Sequence, residues 1–280
     1  MKDYTFAYGS GQVTMSLDER QVIGVLTGHE TPAIDDIGAA LRQAVEQPID
    51  RQPLRLLAHA GSRVLLIISD MSRFWMRQDL VIPHLTAYLT EVCGVRDGDL
   101  TILVANGTHV GGDEKDLRTL VTDPVYDRFA VINHDCERSQ MADLGVTSRG
   151  TPVRINALAV QNDLVVCLGA VTHHVMAGYG GGRKSILPGI SSMETICANH
   201  AHALAPTGLR SNPEIGNGVT DGNPLNEDMV EAAGFVPNLF MINLVMNSDM
   251  KLSHIYAGHY ITAWQAACRQ IDRIYQVDVP

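Results

Sequence analysis

The chain has 280 residues, 45% of them hydrophobic and 19% charged, which is the composition of a globular protein with material for one large or two small domains. The formal net charge of -10 argues against a nucleic-acid partner, although a local cluster of Arg and Lys can still bind an anion. No apolar run has the length of a membrane span, and the residues after Met1 do not form a signal peptide. The five cysteines are scattered and lack a CxxC pair, which argues against a disulfide frame or a zinc ribbon. A reducing cytoplasm is therefore expected.

The spacing of apolar residues predicts strands that alternate with helices. Residues 4–17 alternate around Gly9-Ser10-Gly11, which is typical of a small hairpin. Further strands are predicted at residues 63–69, 100–105, 129–133, 152–156, 164–168 and 239–246. Helices are predicted at residues 33–47, 82–92, 113–121 and 260–274, and another should begin where Ser191 and Glu194 have capping-box spacing. This order predicts an α/β fold, a layered and mainly parallel, Rossmann-like sheet flanked by helices, with a small N-terminal hairpin.

Three of the apolar strands end in polar clusters. Asp70 and Arg73 follow the strand at residues 63–69, residues 106–109 (NGTH) follow the next strand, and residues 172–174 (THH) follow a third. Ligands of open parallel sheets bind outside the carboxyl ends of the strands. The three clusters are therefore expected to face one crevice.

A glycine-rich loop comes next, with Gly180, Gly181 and Gly182 directly before Arg183 and Lys184. Glycines let a backbone approach a ligand closely, and loop N–H groups can bind phosphate. The loop lacks both the Gly-Lys pair of a Walker loop and the third glycine of a GxGxxG fingerprint. It predicts an anionic ligand without naming a common nucleotide. An ordinary glycine-rich connection with a solvated lysine is the alternative.

The histidines are candidates for acid–base chemistry or metal binding. His109 and His174 both follow buried strands closely, and two imidazoles that face one ligand from opposite sides can serve as acid and base near neutral pH. Spacing alone does not choose between His174 and His173. His200, on a predicted helix, is either a core residue or a metal ligand. His202 is expected to face away from His200.

Three charged residues also allow more than one interpretation. Lys184 is a phosphate contact, a solvated charge or a nucleophile for covalent attachment. Asp70 and Arg73 form either a local ion pair or a site acid beside an anion clamp. The residue types by themselves leave these alternatives open.

A series of short motifs resembles the N-terminal domain of the nickel-pincer-nucleotide lactate racemase family. The resemblance runs from about residue 52 to residue 258, which is most of the chain. The motifs are SDMSR at 69–73, NGTH at 106–109, GTPV at 150–153, HVMAGYGGGRKSILPG at 174–189, the pair Asn199-His200, and GNPLNED at 222–228. No single motif is specific, but their number and order identify the family.

This resemblance implies a cofactor and the residues that hold it. The cofactor is the nickel-pincer nucleotide, a pyridinium-3-thioamide-5-thiocarboxylic acid mononucleotide with nickel, covalently attached at Lys184. His200 supplies the remaining nickel ligand, and Asp70 and Ser72 belong to the cofactor site. The loop glycines are implied to lie by the nucleotide phosphate: Gly180, Gly181 and Gly182.

The resemblance also implies an isomerase, a racemase or epimerase of a 2-hydroxy acid that works by hydride transfer from Cα to the pyridinium. The two catalytic histidines match His109 and His174, since the H-x-x-A-G spacing selects His174, and Arg73 would lie near the substrate. Ser72 and Phe74 stand where the family usually has Thr and Pro, which changes the expected substrate pocket.

The implied partners are a small-molecule 2-hydroxy acid and the enzymes that build the cofactor, with neither nucleic acid nor a membrane, in the cytoplasm. Residues 1–280 are expected to form one cofactor-binding and catalytic N-terminal domain. Its last residues, up to Pro280, would lead to a second domain that closes over the substrate. The alternative function is a non-catalytic binding module for the nickel-pincer nucleotide or a related nucleotide. A conventional NAD dehydrogenase is disfavoured because its fingerprint is absent.

Overall fold

A computed structural model describes residues 1–9 and 11–278. The strands are β1 Lys2–Tyr8, β2 Gly11–Leu17, β3 Val64–Ser69, β4 Leu100–Ala105, β5 Ala130–Asn133, β6 Met141–Val146, β7 Pro152–Asn156, β8 Leu164–Ala170, β9 His173–His174, β10 Gly178–Tyr179, β11 Leu239–Met246 and β12 Leu252–Gly258. The helices are α1 Ile37–Glu46, α2 Leu54–Leu57, α3 Ile82–Ala87, α4 Glu114–Val121, α5 Asp123–Arg128, α6 Leu158–Gln161, α7 Met193–Ala201, α8 Pro224–Gly234 and α9 Thr262–Tyr275. Two 3-10 helices matter for the site, Met71–Met76 and Gly182–Ser185.

The central sheet has six strands in the order β12-β11-β8-β3-β4-β5. All neighbours are parallel except β12, which runs antiparallel to β11. From β3 the chain proceeds to β4 and β5 on one side, and it then returns to place β8 on the other. The order therefore reverses between β3 and β8, and in such sheets the crevice at this switch point is where ligands bind.

The core lies on both faces of this sheet, because the central strands are apolar at nearly every position. On β3, Leu66 and Ile68 point to one face and Leu65 and Ile67 to the other. Helices α1, α3, α4 and α5 cover the first face, and α6, α7 and α8 cover the second. Helix α9 packs near the end of β11 through a third cluster that contains Trp264. Every predicted strand that is buried on both faces lies in this sheet.

The expected α/β architecture is thus confirmed, and so is the N-terminal hairpin, β1 paired with β2. Ser10, at the predicted turn, lies outside the described residues. The hairpin forms a sheet of its own whose apolar side chains Phe6, Tyr8, Val13 and Met15 are exposed. In the described part of the chain, no helix combines the length and apolar character that crossing a membrane requires.

Several local predictions need correction. The helix expected from Ser191 begins one residue later, because the side chain of Ser192 accepts the backbone N–H of Thr195, whereas the Ser191 hydroxyl donates to a loop carbonyl. The helix expected at residues 33–47 begins at Ile37, after Asp36 as N-cap. The predicted strand β7 does not join the central sheet. It pairs in a separate two-stranded sheet with β6, a strand that no pattern predicted. Helix α8 and strand β12 were also not predicted.

Candidate active site

A cavity of about 580 Å³ opens at the carboxyl ends of β3, β4 and β8, which is the switch point of the sheet. This volume lies within the usual range for small-molecule sites. The titratable side chains that line it come from several separate segments: Asp70, Arg73, His109, His174, Lys184, Cys197 and His200. Since β4 and β8 lie on either side of β3, the segments that carry His109 and His174 flank the one that carries Asp70.

Asp70 is the centre of a hydrogen-bonded chain along one wall of the cavity. It is 9% exposed, and its Oδ2 lies 2.5 Å from Nδ1 of His109. Its Oδ1 accepts the hydroxyl of Ser72 at 2.6 Å, and that hydroxyl oxygen in turn accepts a guanidinium N–H of Arg73 at 2.8 Å. Because a carboxylate only accepts, Nδ1 of His109 carries the proton and its Nε2 is left as a free base.

His174 is held in the opposite way. Its Nδ1 accepts the backbone N–H groups of Met176 and Ala177, at 3.2 and 3.1 Å. The proton of the neutral ring is therefore on Nε2, which lies 3.3 Å from Nζ of Lys184. Nε2 of His174 can therefore donate a hydrogen bond into the cavity, whereas Nε2 of His109 can accept one.

The cavity favours the uncharged forms of Lys184, His174 and His200. Burial, followed by the positive charges of Arg183 and Arg73, lowers the pKa of Lys184 to about 7. Burial, followed by the charge of Lys184, lowers the pKa of His174 to about 4. Burial and then Lys184 also lower the pKa of His200. At neutral pH the imidazoles of His174 and His200 are neutral, and a large share of Lys184 is an uncharged amine that can act as a nucleophile.

His200 lies on α7 with one nitrogen fixed and the other free. Its Nδ1–H donates to the backbone carbonyl of Ile196 at 2.9 Å, which leaves Nε2 available to a ligand in the cavity. The preceding residue, Asn199, is fully buried and donates to Asp228 of α8 at 2.7 Å. This contact anchors the end of α7 and so positions His200. His202 lies 3.8 Å from the same carboxylate and points away from the cavity.

The glycine-rich loop is held from beneath by Arg183 and Trp264. The guanidinium of Arg183, fully buried, donates to the carbonyls of Ala177 at 2.7 Å and Tyr179 at 2.9 Å, and it lies 4.0 Å from the Trp264 ring centroid. The indole N–H of Trp264 donates to the carbonyl of Gly180 at 2.9 Å. Burial lowers the pKa of Arg183 to about 9, so it stays charged at neutral pH.

The chain matches one known protein family over most of its length. The sequence model described as "Lactate racemase N-terminal domain" matches residues 8–211. The chain belongs to this family. Two curated relatives are lactate racemases: that of Thermoanaerobacterium thermosaccharolyticum is 29% identical over 284 residues, and that of Lactiplantibacillus plantarum is 27% identical over 273 residues. The alignments include 99% and 96% of this chain but only 64% and 62% of those proteins.

Solved structures agree with the assignment to the lactate racemase N-terminal domain family. The lactate racemase apoprotein of Thermoanaerobacterium thermosaccharolyticum superposes with a TM-score of 0.83 at 29% identity, over 98% of this chain and 63% of that one. A Thermotoga maritima protein superposes with a TM-score of 0.66 at 20% identity, over 87% and 60% of the two chains, and shows the shared fold.

Most of the residues predicted for the site of this family member line the one cavity. They are Asp70, Arg73, His109, His174, Gly180, Gly181, Lys184 and His200. Ser72 does not line it and instead links Asp70 to Arg73, so these two are not a direct ion pair. Gly182 also lies outside the lining, against the Trp264 ring. The side chain of His173 turns away to Asp272, at 3.0 Å.

Sequence reasoning missed several residues of the site. Cys197 lines the cavity beside His200, and their spacing of three on a helix was a signal that could have found it. Trp264 stands far from the loop in sequence, and no local pattern connects the two. Asn199 and Asp228 lay within recognised motifs, but only the packing of α7 against α8 gives them a role.

The histidine ring nitrogens and the amine can together hold a ligand and move a proton. Among residues 1–9 and 11–278, no three side chains of His, Cys, Asp or Glu lie together in a way that could hold a metal ion. His200 can offer one nitrogen to a metal, as the family resemblance requires, because the other ligands are implied to come from the cofactor.

Proposed function

We propose that this chain is the cofactor-binding and catalytic domain of a 2-hydroxy-acid racemase or epimerase that uses a nickel-pincer nucleotide attached at Lys184. One observation carries the proposal: side chains from four separated family motifs line a single cavity at the switch point of the sheet. They are Asp70, Arg73, His109, His174, Lys184 and His200. The curated relatives named lactate racemase support the reaction class.

The side chains present fit the implied cofactor. Lys184 must be an uncharged amine to form a thioamide, and the lowered pKa of its amine, about 7, provides that form. His200 must offer a neutral nitrogen, and its hydrogen bond to Ile196 leaves Nε2 free, in the way that second partners orient metal-binding histidines. When bound, the cofactor supplies a hydride acceptor, which avoids the carbanion that removal of the Cα proton would leave beside a carboxylate.

The chain itself supplies binding, orientation and proton transfer. Arg73, at the exposed end of the Asp70 chain, binds the substrate carboxylate. His109 accepts the hydroxyl proton at Nε2, while Asp70 holds the ring and stabilises the imidazolium that forms. His174, which is neutral, donates a hydrogen bond from Nε2 to the substrate oxygen across the cavity, and His109 returns the proton to that oxygen when the hydroxyl forms again. Two histidines on opposite sides of β3 allow the proton to be handled on either face of the substrate.

Metal and cofactor content test this assignment. In protein produced together with the enzymes that build the cofactor, His200→Ala should lower nickel per chain, whereas His202→Ala should not, because His202 points away from the cavity. Lys184→Ala should abolish the mass increase of the intact chain. Equal nickel loss in both histidine variants, or an unchanged adduct in Lys184→Ala, would contradict the proposal.

Turnover separates the racemase from its alternative, a non-catalytic module that holds the same nucleotide. His109→Ala and His174→Ala should each lower racemisation of a 2-hydroxy acid by about 10² or more, the usual scale for general acid–base groups. Nickel content should be retained in both. The alternative has one observation in its favour, since the chain spans only 64% and 62% of its curated relatives. Full cofactor loading without turnover, even in an extended chain, would establish the module.

A further inference from the structure

A second, apolar cavity of about 390 Å³ lies next to the proposed catalytic cavity. We call it the apolar annex, and its lining residues are Trp75, Val171, Thr172, Met246, Met250, Ile271 and Tyr275. None of these residues is charged. Trp75 and Thr172 line both cavities, so the two spaces adjoin.

The annex occupies the next position along the same edge of the sheet. Thr172 follows β8 and Met246 ends β11, so both stand at carboxyl ends of parallel strands, as the catalytic cavity does. Trp75 belongs to the 3-10 helix Met71–Met76, which also carries Arg73. The annex therefore adjoins the catalytic cavity beside Arg73, on the side of β3 where β8 and β11 lie and where His174 also stands.

The floor of the annex consists of buried apolar side chains. Val171, Met246 and Ile271 are each at most 2% exposed. The hydroxyl of Tyr275 donates to the backbone carbonyls of Met246 and Asn247, at 3.1 and 2.8 Å, so its ring alone is left for contact. The residues with further polar atoms, Trp75 and Thr172, line both cavities, so a charged group on the apolar floor would lose water without gaining a partner there.

Met250 forms the rim, in a backbone conformation that is costly for its type. It is 48% exposed and has a φ of 59°, in the left-handed region where Gly or Asn is favoured. This conformation belongs to the turn between β11 and β12, in which the N–H of Met250 donates to the carbonyl of Asn247 at 2.9 Å, and it holds the side chain at the mouth of the annex. A long, flexible thioether at the mouth of the annex can cover an apolar group of variable shape.

We infer that the annex binds the side chain of the substrate, which is a 2-hydroxy acid with a branched aliphatic or aromatic side chain rather than lactate. This inference rests on the proposed function for the placement of the carboxylate and the reacting carbon. Each methylene group buried in the annex should tighten binding about fourfold. The annex, and not the catalytic residues, then sets substrate preference.

Equilibrium binding to the cofactor-loaded chain tests the inference without relying on turnover. The chain has two tryptophans, and Trp264 is 2% exposed, so quenching by a ligand reports mainly on Trp75. We expect 2-hydroxy-4-methylpentanoate to bind at least about tenfold more tightly than lactate, since it has three more carbons to bury. The acid 2-hydroxypentanedioate, of similar length but with a second carboxylate, should show no such gain. Trp75→Phe should remove the signal.

A variant at the rim and a matched control complete the test. Met250→Gln should reduce the preference for the larger acid, whereas Leu56→Gln, at a 56% exposed site on α2, should leave it unchanged. The inference would be overturned if lactate bound as tightly as the larger acid, if 2-hydroxypentanedioate showed an equal gain, or if the larger acid did not bind measurably. An unchanged preference in Met250→Gln would also overturn it. A chain that takes up nickel but prefers lactate refutes only the inference that the annex binds the substrate side chain. A chain that prefers the larger acid without taking up nickel refutes the proposed function alone.

Discussion

At the scale of single residues, the partner of one ring nitrogen decides what each histidine of the cavity can do. Nδ1 of His109 faces a carboxylate and Nδ1 of His200 faces a carbonyl, so each carries a proton there and keeps Nε2 as a base. Nδ1 of His174 faces two backbone N–H groups, so Nε2 carries the proton. Three chemically identical side chains are thereby suited to accept a proton, bind a metal and donate a hydrogen bond.

Asp70 is the residue that holds the ring proton of His109 on Nδ1 and so leaves Nε2 facing the cavity without a proton. In Asp70→Asn, the amide N–H₂ can donate to Nδ1 of His109, which moves the ring proton to Nε2 and removes the free base. We expect turnover to fall by about 10² or more. Long-range ¹H–¹⁵N spectra of the histidine ring should show the change of tautomer even without the cofactor. Asp221→Asn, at an exposed loop position, is the control, and an unchanged His109 tautomer in Asp70→Asn would refute the role.

The lowered pKa of Lys184 predicts a pH-dependent reactivity. The uncharged amine is the nucleophile, so the acylation rate of Lys184 should rise with pH and reach half of its maximum near pH 7. Peptide mass spectrometry after brief acylation gives the profile, with the three other lysines, Lys2, Lys115 and Lys251, as internal references.

Arg73 provides a check on the cause of that shift. Its positive charge lowers the pKa of Lys184, so Arg73→Gln should move the midpoint of the Lys184 profile to higher pH. A profile for Lys184 that coincides with those of the three reference lysines would contradict the buried, electropositive environment described for it.

At the scale of elements, the glycine-rich loop depends on α9 for its shape. Gly181 and Gly182 have φ values of 66° and 53°, and a Cβ on Gly182 would lie 2.7 Å from the Trp264 ring. The indole of Trp264 bonds one loop carbonyl and covers the guanidinium of Arg183, which bonds others. The loop that carries Lys184 is therefore fixed by a helix about 80 residues later in the sequence.

Truncation of Trp264 should expose this dependence. Trp264→Ala leaves a cavity and an unpaired carbonyl, and it should lower the free energy of unfolding by about 3–5 kcal/mol. Trp264→Phe should cost less, because it keeps most of the packing and loses the hydrogen bond. Chemical denaturation measures both, with Leu209→Ala at a fully exposed site as the control. A loss in Trp264→Ala no larger than in Leu209→Ala would show that the loop holds its shape without α9.

At the scale of the whole molecule, the strand order brings the residues of the cavity together and leaves one side of the cavity open to solvent. The strands β8, β3 and β4 are neighbours, so segments far apart in sequence meet at one crevice. The side chain of His109 is 51% exposed, and Arg73 is exposed as well. The curated relatives have about a third of their length beyond the region that this chain matches. We propose that a further domain of that kind covers the crevice.

Extension of the chain tests this proposal. The cofactor-loaded chain of 280 residues should turn over its 2-hydroxy acid slowly, and a chimera that adds the remaining region of a relative should be faster by about 10². The reason is that closure excludes water and completes the catalytic set. Steady-state rates of the two forms, normalised to nickel content, give the comparison. Equal rates would show that residues 1–280 are a complete minimal enzyme.

The sequence alone determined the layered α/β fold and most of the cavity. The reason is that short apolar runs rich in Ile and Val, such as residues 63–69, are typical of strands buried on both faces, and polar residues at the carboxyl ends of neighbouring parallel strands lie at one edge of the sheet. The order of the family motifs identified Lys184 and His200 as further residues of the site. Strand β12, helix α8 and the pairing of β7 with β6 escaped prediction, because weakly patterned segments are fixed by the surfaces they pack on rather than by their own periodicity.

Only the tertiary structure decided how the individual side chains are used. The residue types left His173 and His174 equivalent and the family motif selected His174, but only the structure gives the reason, since Asp272 on α9 bonds His173 and turns it out of the cavity. Arg183 is the sequence neighbour of Lys184, yet it is buried beneath the loop on Trp264 and does not line the cavity. Hydrogen-bond partners, burial and charge at a site arise from residues distant in sequence, so proton positions and pKa values follow from packing and not from local pattern.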